Sequence, residues 1–389
     1  MNLENALSKL NDYPTAHLDN FSKLIDPKII EECLQATGKA SIRRRKLPAE
    51  QVIWLVIALG LFCNEAVAKV AEHLNIVFPD SKSSLLAPSA LVQARERLGS
   101  QPLEWLFKRL SEHWCSKDES DWKGLSLFGI DGVVWRTHDT PENREMFRQQ
   151  VNVPGKTCGN PLIRAAALMS LGSHLVKDVS FGPYDVNEMI YAKKLLQSIP
   201  KDSLTIFDRG FFSADILSSL HNDGDNRHWL IPAKKNLVFR KIKSLGKLDS
   251  VVEMTVSPQA RMKNPELPET WQVRMLTKKI DGKEKSFLTS LMDAKKYPAS
   301  HIASLYAQRW EIELGFKVIQ ELWGVLIAYN LIRWQMSQMA KHTNVAANRI
   351  SFSLVLPNIR IALILSATGS PGNWPKALVH LYSETRHYI

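Results

Sequence analysis

Three carboxylates stand out by where they fall. Asp131 sits where a hydrophobic strand pattern meets Gly132, and Asp208 ends the short apolar run Leu204 to Phe207, ahead of Arg209 and Gly210. Acidic residues at the ends of buried strands are costly unless they are paired or bind a metal. In a mixed sheet, two such ends can lie side by side. Glu313 belongs to the helical run Tyr306-Ala-Gln-Arg309-Trp-Glu-Ile-Glu313, whose spacing puts Tyr306, Arg309 and Glu313 on one helix face. Three hard oxygen donors converging beside basic chain would suit two Mg²⁺ or Mn²⁺ ions. Such ions activate a water or a 3′-hydroxyl and stabilise the leaving oxygen during in-line attack on a phosphodiester. Taken singly, each residue also has a plainer explanation. Asp131-Gly132 could be a turn, Asp208 a cap for the turn after it, and Glu313 the partner of Arg309 one helical turn away.

The elements that would position these residues can be read from periodicity. Between residues 20 and 120 the pattern is helical, with Val52, Trp54, Leu55, Ala58 and Leu59 on a helix opened by Pro48, a second stretch from Glu65 to Leu74, and a third from Pro88 to a stop at Gly99. Arg43, Arg44, Arg45, Lys46, Arg95 and Arg97 on these segments fit either a DNA-contacting module or the solvated face of a bundle. From Leu125 the pattern becomes strand-like: Leu125 to Trp135, then Pro161 to Leu171 and His174 to Phe181 joined by Gly172-Ser173. A helix from Val186 to Ile199, the strand Leu204 to Phe207, a helix from Ser213 to His221 and a strand from Trp229 to Pro232 follow. This order describes an α/β fold, a mixed sheet with helices packed on it. Val251 to Val256, Trp271 to Lys279 and Lys285 to Met292 then alternate as strands, the last two joined by Asp281-Gly282, a strong hairpin signal. A helical pattern without proline runs from His301 to about Lys341. The expected division is a helical N-terminal domain over 1–120, a core over 121–235, a basic β-rich insertion over 236–298, and C-terminal helices over 299–389.

Composition narrows the class of protein. The chain has 389 residues with 45% hydrophobic and 23% charged, which excludes disorder as its main state. The longest apolar run, Gln51 to Cys63, is too short to span a bilayer, and Met1 to Leu10 has no basic region leading into an apolar core, so neither a membrane span nor an export signal is expected. Cys33, Cys63, Cys115 and Cys158 lie far apart without paired spacing, which argues against a disulfide framework and a zinc ribbon and fits a reducing cytosol. The formal charge is +11, and residues 226–300 alone carry a surplus of nine basic groups. A polyanionic partner is expected. Lys234, Lys235, Arg240, Lys241 and Lys243 could line a phosphate track or simply form a solvated face. Gly124-Leu-Ser126-Leu-Phe128 is not a nucleophile elbow, because Phe128 stands where glycine is needed. His113 and Cys115 lack a partner pair and are expected to pack.

The motifs taken together resemble a known family. Phe207-Asp208-Arg209-Gly210-Phe211-Phe212-Ser213, the Asp131-Gly132 strand, and Tyr306-x-x-Arg309-Trp310-x-Ile312-Glu313-x-x-Phe316 resemble bacterial insertion-sequence DDE transposases. The resemblance is to the IS-four group, whose last carboxylate lies in a Tyr-Arg-Glu-Lys signature. Arg43 to Phe62 and Leu91 to Phe107 look like that group's N-terminal domain, and Pro161 to Arg164 and Gly182 to Tyr184 also sit where it has similar segments. The resemblance implies an RNase H-like core with a β-rich insertion between the second Asp and the Glu. It further implies cut-and-paste transposition in the bacterial cytoplasm on double-stranded DNA, through a DNA hairpin intermediate, by a homodimer in the synaptic complex. By matched position Asp131, Asp208 and Glu313 would be catalytic and hold two Mg²⁺ or Mn²⁺ ions. Tyr306 and Arg309 would contact the DNA backbone, with Arg209, Lys234 and Lys235 as further candidates. Hairpin chemistry would use a stacking platform; Trp229, Trp271 and Trp310 are candidates, each equally readable as core.

One position departs from the signature. Gln320 stands where its Lys is expected, and Lys317 lies about 60° around the helix from that face. Gln320-Glu321-Leu322-Trp323-Gly324 resembles a segment that in relatives begins a later helix, as if an internal stretch had been lost after Glu313. As one helix, His301 to Lys341 would extend about 60 Å, too long for a compact domain without a bend. Two alternatives follow: an inactive DNA-binding remnant, or a metal-dependent nuclease that cannot join strands. Tyr382 to Ile389 lacks the basic tail expected of the family.

Overall fold

The computed structural model describes residues 25–40, 47–62, 65–74, 87–116, 121–153, 156–222, 225–280, 283–306, 322–343, 345–367 and 385–388. The chain divides into two compact units, one drawn from 1–116 and 319–389, the other spanning 117–318.

The first unit is helical. Its N-terminal part contains α1 (Pro27–Ala36), α2 (Ala49–Leu61), α3 (Val67–His73), α4 (Pro88–Leu98) and α5 (Gln101–Cys115). Proline punctuates these helices as expected. Pro48 caps α2 in extended conformation, Pro88 opens α4, and Gly99 ends α4 at φ 72°, a left-handed value that glycine adopts without strain. α2 is apolar on nearly all sides, with Val52 through Ala58 and Leu61 buried, which marks it as the helix at the centre of the unit. Cys33 and Cys115 are buried thiols outside any disulfide, and burial pushes the Cys33 thiol up to about 11.

The second unit is built on a ten-stranded sheet. In chain order it contains β1 (Asp121–Trp122), β2 (Leu125–Arg136), α6 (Pro141–Phe147), β3 (Gln150–Val153), β4 (Lys156–Cys158), β5 (Leu162–Ser170), β6 (Val176–Pro183), α7 (Glu188–Leu195), β7 (Ser203–Phe207), α8 (Ala214–Asn222) and β8 (Arg227–Pro232). It continues with β9 (Arg240–Gly246), β10 (Asp249–Thr255), α9 (Pro258–Lys263), β11 (Thr270–Ile280), β12 (Lys283–Thr289) and α10 (Ala299–Leu305). The strand order is β6-β5-β2-β7-β8-β12-β11-β10-β9, with β1 beside β2 and with β3 and β4 forming a separate hairpin. β6, β5 and β2 are mutually antiparallel, whereas β2, β7 and β8 run parallel. This is the RNase H-like mixed sheet. Every residue of β7 is buried, as befits a parallel strand covered on both faces. One face packs Phe128, Ile130, Phe207 and Trp229 against Tyr191, Ala192 and Leu195 of α7 and Ile216, Leu217 and Leu220 of α8.

The basic insertion does not form a sheet of its own. β12 pairs antiparallel with β8, so β12, β11, β10 and β9 continue the core sheet to its far rim. β11 and β12 pair antiparallel up to Ile280 with Lys283, while Asp281 and Gly282 lie outside the described residues. A strand missing from the sequence reading is β9: nearly all of it is exposed, so no alternation betrays it. Its partner, β10, is tied to β11 by a buried ion pair between Arg274 and Asp249.

The first unit is completed from the C-terminal part of the chain by α11 (Leu322–Thr343) and α12 (Phe352–Ala367). The long helical pattern expected over His301–Lys341 is thus seen as α10 and α11, with 307–321 outside the described residues. α11 packs on α2 and α5. The α2–α11 crossing is a glycine contact: a Cβ on Gly324 would lie 2.7 Å from the Val56 carbonyl oxygen, and one on Gly60 would lie 2.9 Å from Gly324 O. Backbone cannot retreat as a flexible side chain can, so Gly324→Ala is expected to destabilise this unit by about 1–3 kcal/mol. A lowered urea midpoint would register it. Among the described residues no helix is long and apolar enough to cross a membrane.

Candidate active site

The site forms where parallel strands end. β2 and β7 pair in parallel as far as Ile130 with Phe207, and Asp131 and Asp208 are the next residue on each strand. Asp208 keeps an extended backbone, φ −72° and ψ 156°, so it continues the line of β7 before the chain turns into the short 3-10 segment Arg209–Phe211. Side chains alternate along a strand, so residues in register project to the same face. The two aspartates therefore lie side by side, each partly exposed, at the carboxyl ends of two buried strands. Open sheets offer their binding crevices at such ends.

Each carboxylate is held by a glycine N–H. Gly132 donates to Asp131 Oδ1 at 2.8 Å, and Gly210 donates to Asp208 Oδ2 at 3.2 Å. These bonds orient one oxygen of each group and leave acceptor capacity on the carboxylates.

Several basic candidates gather nearby in the fold. Arg209 directly follows Asp208 and is exposed. Lys234 lies just beyond the end of β8, the neighbour of β7, with its Nζ 4.9 Å from the ring of Phe212. Lys235 follows it and is exposed. Arg240, Lys241 and Lys243 lie on β9 at the far rim, four strands from β8 or roughly 19 Å at the usual strand spacing, and Arg240 is paired with Glu253 at 2.7 Å. The lysine track thus divides into a part near the aspartates and a part at the rim.

The helix that would carry the third carboxylate is described only up to its approach. Tyr306 ends α10 and sets its ring 5.0 Å from Phe287 of β12. Arg309, Trp310, Glu313, Lys317 and Gln320 lie outside the described residues, as do Arg43 to Lys46. Trp229 is 1% exposed and sits in the core beside half-buried Trp271, which removes it as a stacking platform. Arg95 lines a cavity of about 400 Å³ with Val56, Leu103 and Trp323, and burial lowers its pKa, so it packs in the helical unit; Arg97 is exposed. His113 is exposed on α5 and Cys115 is buried.

A carboxylate absent from the sequence reading also approaches this strand end. Glu188 opens α7, and a Cβ on Gly132 would stand 3.1 Å from its Cδ, closer still to its Oε2. In sequence it reads as an ordinary acidic residue of a first helical turn; the glycine of Asp131-Gly132 is the only signal that something must approach the strand closely. Among the described residues no three His, Cys, Asp or Glu side chains are grouped to hold a metal ion.

Residues 15–108 match the family described as insertion element 4 transposase N-terminal, and residues 122–333 match the transposase DDE domain. The chain is 35% identical over 403 residues to the transposase InsG for insertion sequence element IS4 of Escherichia coli, covering 98% of this chain and 88% of that protein. It is 38% identical over 250 residues to the putative transposase InsZ of the same organism, covering 62% of this chain and 81% of that one. A solved structure, the piggyBac transposase synaptic complex with hairpin DNA, matches 94% of this chain and 84% of its own at 12% identity with a TM-score of 0.44. A DDE domain depends on divalent metal, and the all-oxygen donors of Asp131 and Asp208, already oriented by glycine N–H groups, fit such an ion. The RNase H-like sheet and a transposase DDE match over more than half of the residues converge on one conclusion: the chain belongs to the insertion element 4 transposases.

Proposed function

We propose that the chain cuts and rejoins double-stranded DNA at insertion-sequence ends, with Asp131, Asp208 and Glu313 holding two Mg²⁺ or Mn²⁺ ions. The parallel pairing of β2 with β7 carries this reading, because it brings two carboxylates together at a strand end where hydrophobic residues precede both. When bound, such ions raise the nucleophilicity of water or a 3′-hydroxyl and neutralise charge on the leaving oxygen. The residues of the chain supply the geometry. Gly132 and Gly210 hold the aspartates; Arg209, Lys234 and Lys235 meet backbone phosphates near them; Tyr306 and Arg309 do so near the cleaved end. Exposed Arg97 on α4 belongs to a second, non-catalytic DNA contact. The working assembly is a homodimer on paired element ends, in the bacterial cytoplasm.

A second reading concerns how much of this chemistry survives. The alignment with the IS4 relative runs over 403 residues, more than the 389 of this chain, so that relative carries residues within the aligned span that this chain lacks. We assign part of that difference to the stretch after Glu313, where Gln320 replaces the expected Lys. Loss of a cationic contact to an end phosphate costs transition-state stabilisation of about 2–4 kcal/mol, by comparison with other preorganised donors. A labelled element end incubated with Mn²⁺ separates the outcomes. Nicks and hairpins support the transposase, nicks alone a nuclease, and a mobility shift without cleavage an inactive remnant. Inserting the corresponding segment of the relative after Glu313 is expected to raise cleavage, and no gain would overturn the deletion.

A further inference from the structure

We infer that Arg164 is a phosphate-binding residue that holds the DNA backbone beside the strand ends; this rests on the DNA-cutting reading above. Arg164 lies on β5, opposite Val134 of β2 on one side and Gly182 of β6 on the other. Val134 is three residues past Asp131, roughly 10 Å at the usual strand rise, so Arg164 stands near the carboxyl end of a strand that carries a candidate metal ligand. Register places it on the sheet face where α7 covers Ile130. Val134 on that face is 47% exposed, so the face is open beyond the helix, and exposed Arg136 shares it.

The guanidinium is held in place but not neutralised. Its Cζ lies 4.5 Å from the centre of the Tyr184 ring. The chain around that ring is fixed: Tyr184 donates its backbone N–H to Phe147 O at 3.2 Å, and Tyr191 donates its hydroxyl to Pro183 O at 3.0 Å. Neighbouring acids already have partners, Asp185 with Arg148 and Asp139 with Arg144. Arg164 is half-buried, and among the described residues it makes no hydrogen bond or ion pair. Its Nε is enclosed without an acceptor, which leaves the Nη edge for a ligand. An arginine serving only the fold would spend these donors on carbonyls or a carboxylate. Enclosing part of a guanidinium without an anion is costly, and arginine cannot shed the charge by deprotonation. An anion at the Nη edge offsets that cost. Stacking on the ring pre-orients the planar fork, whose spacing matches two oxygens of one phosphate. In a chain of formal charge +11, a polyanion with phosphates in series is the occupant that fits.

The test is binding of the full chain to a labelled duplex element end over a range of salt, without divalent metal so that no cleavage intervenes. Arg164→Gln is expected to weaken binding by about five- to tenfold at low salt and to reduce the slope of log affinity against log salt by about one. A scan with single methylphosphonates, each removing one backbone charge, locates the contact. One position should cost the wild-type chain affinity and cost Arg164→Gln nothing, a coincidence that a purely structural role would not produce. If Arg164→Gln melts below the assay temperature, Arg164→Lys, which keeps the charge but not the fork, is read by the same scan, and a weakened response at that position supports the contact. A wild-type scan and salt slope in the folded variant would overturn the inference and leave the DNA-cutting reading intact. Failure of the wild-type chain to bind the duplex at all would overturn that reading, and the inference with it.

Discussion

Asp131→Asn and Asp208→Asn are each expected to lower metal-dependent cleavage of an element end by about 10²–10³-fold or more, without lowering thermal stability. The size follows from what the substitution removes. A carboxylate oxygen becomes an amide that coordinates a hard cation weakly, while size and shape are preserved. The stability half of the expectation follows from position. Both aspartates are partly exposed at strand ends, and Asn keeps their size and shape, so the packing around them is expected to hold. The glycine N–H bonds at 2.8 and 3.2 Å can still be accepted by the Asn carbonyl oxygen. Measured together, initial cleavage rates and melting curves distinguish a ligand from a fold residue. Unchanged cleavage in either variant would remove that residue from the site.

The second large effect is on folding. Arg274 is fully buried in β11 and donates from Nε and Nη2 to the two oxygens of Asp249 at 2.8 and 2.6 Å, while Nη1 donates to Leu291 O and Tyr297 O at 3.0 and 2.8 Å. One guanidinium thus fastens β10, the chain leaving β12 and the residue just before α10. Arg274→Ala strands the Asp249 carboxylate in the interior and orphans two carbonyls; it is expected to destabilise the sheet unit by about 3–5 kcal/mol. Arg274→Met combined with Asp249→Leu removes both charges and is expected to recover most of that loss, because burying an ion pair is itself costly. Urea denaturation of the two variants measures the difference. A double variant no better than Arg274→Ala would show that the carbonyl contacts, not the stranded charge, dominate. Since Tyr297 leads into α10 and so to Tyr306, cleavage is expected to fall with the single variant and to stay low in the double one, which also lacks the contact to Tyr297 O.

Much of this was legible along the chain, for identifiable reasons. β2, β5, β6, β7 and β8 are apolar runs bounded by turn residues, and their order with α7 and α8 specifies a mixed sheet. Asp131 and Asp208 were visible as acids at the ends of such runs. Their adjacency was not, because parallel neighbours need a crossover and the pairing of β2 with β7 spans four intervening strands and two helices. β9 escaped notice because a strand exposed on both faces has no apolar alternation. The joining of α2 with α11 escaped notice for a different reason: periodicity shows that a face is apolar, but not which distant helix covers it. Gly60 and Gly324 make that crossing possible, yet glycine within a helical pattern reads as a weakness. Glu188 was hidden by being unremarkable, an acidic residue in a first turn where acids are common.

The continuous sheet bears on self-association. Its outermost strand, β9, pairs on one side only among the described residues, a geometry that invites another copy to add its own edge and begin a ladder of chains. Arg240, Lys241 and Lys243 stand along that rim, with Lys247 in the turn beyond it. Two such rims meeting would press like charges together, so the protein is protected from edge-to-edge polymerisation by the residues that give the insertion its charge. That protection weakens as salt rises and screens the lysines. It also directs any symmetric pairing of two copies to surfaces other than this rim.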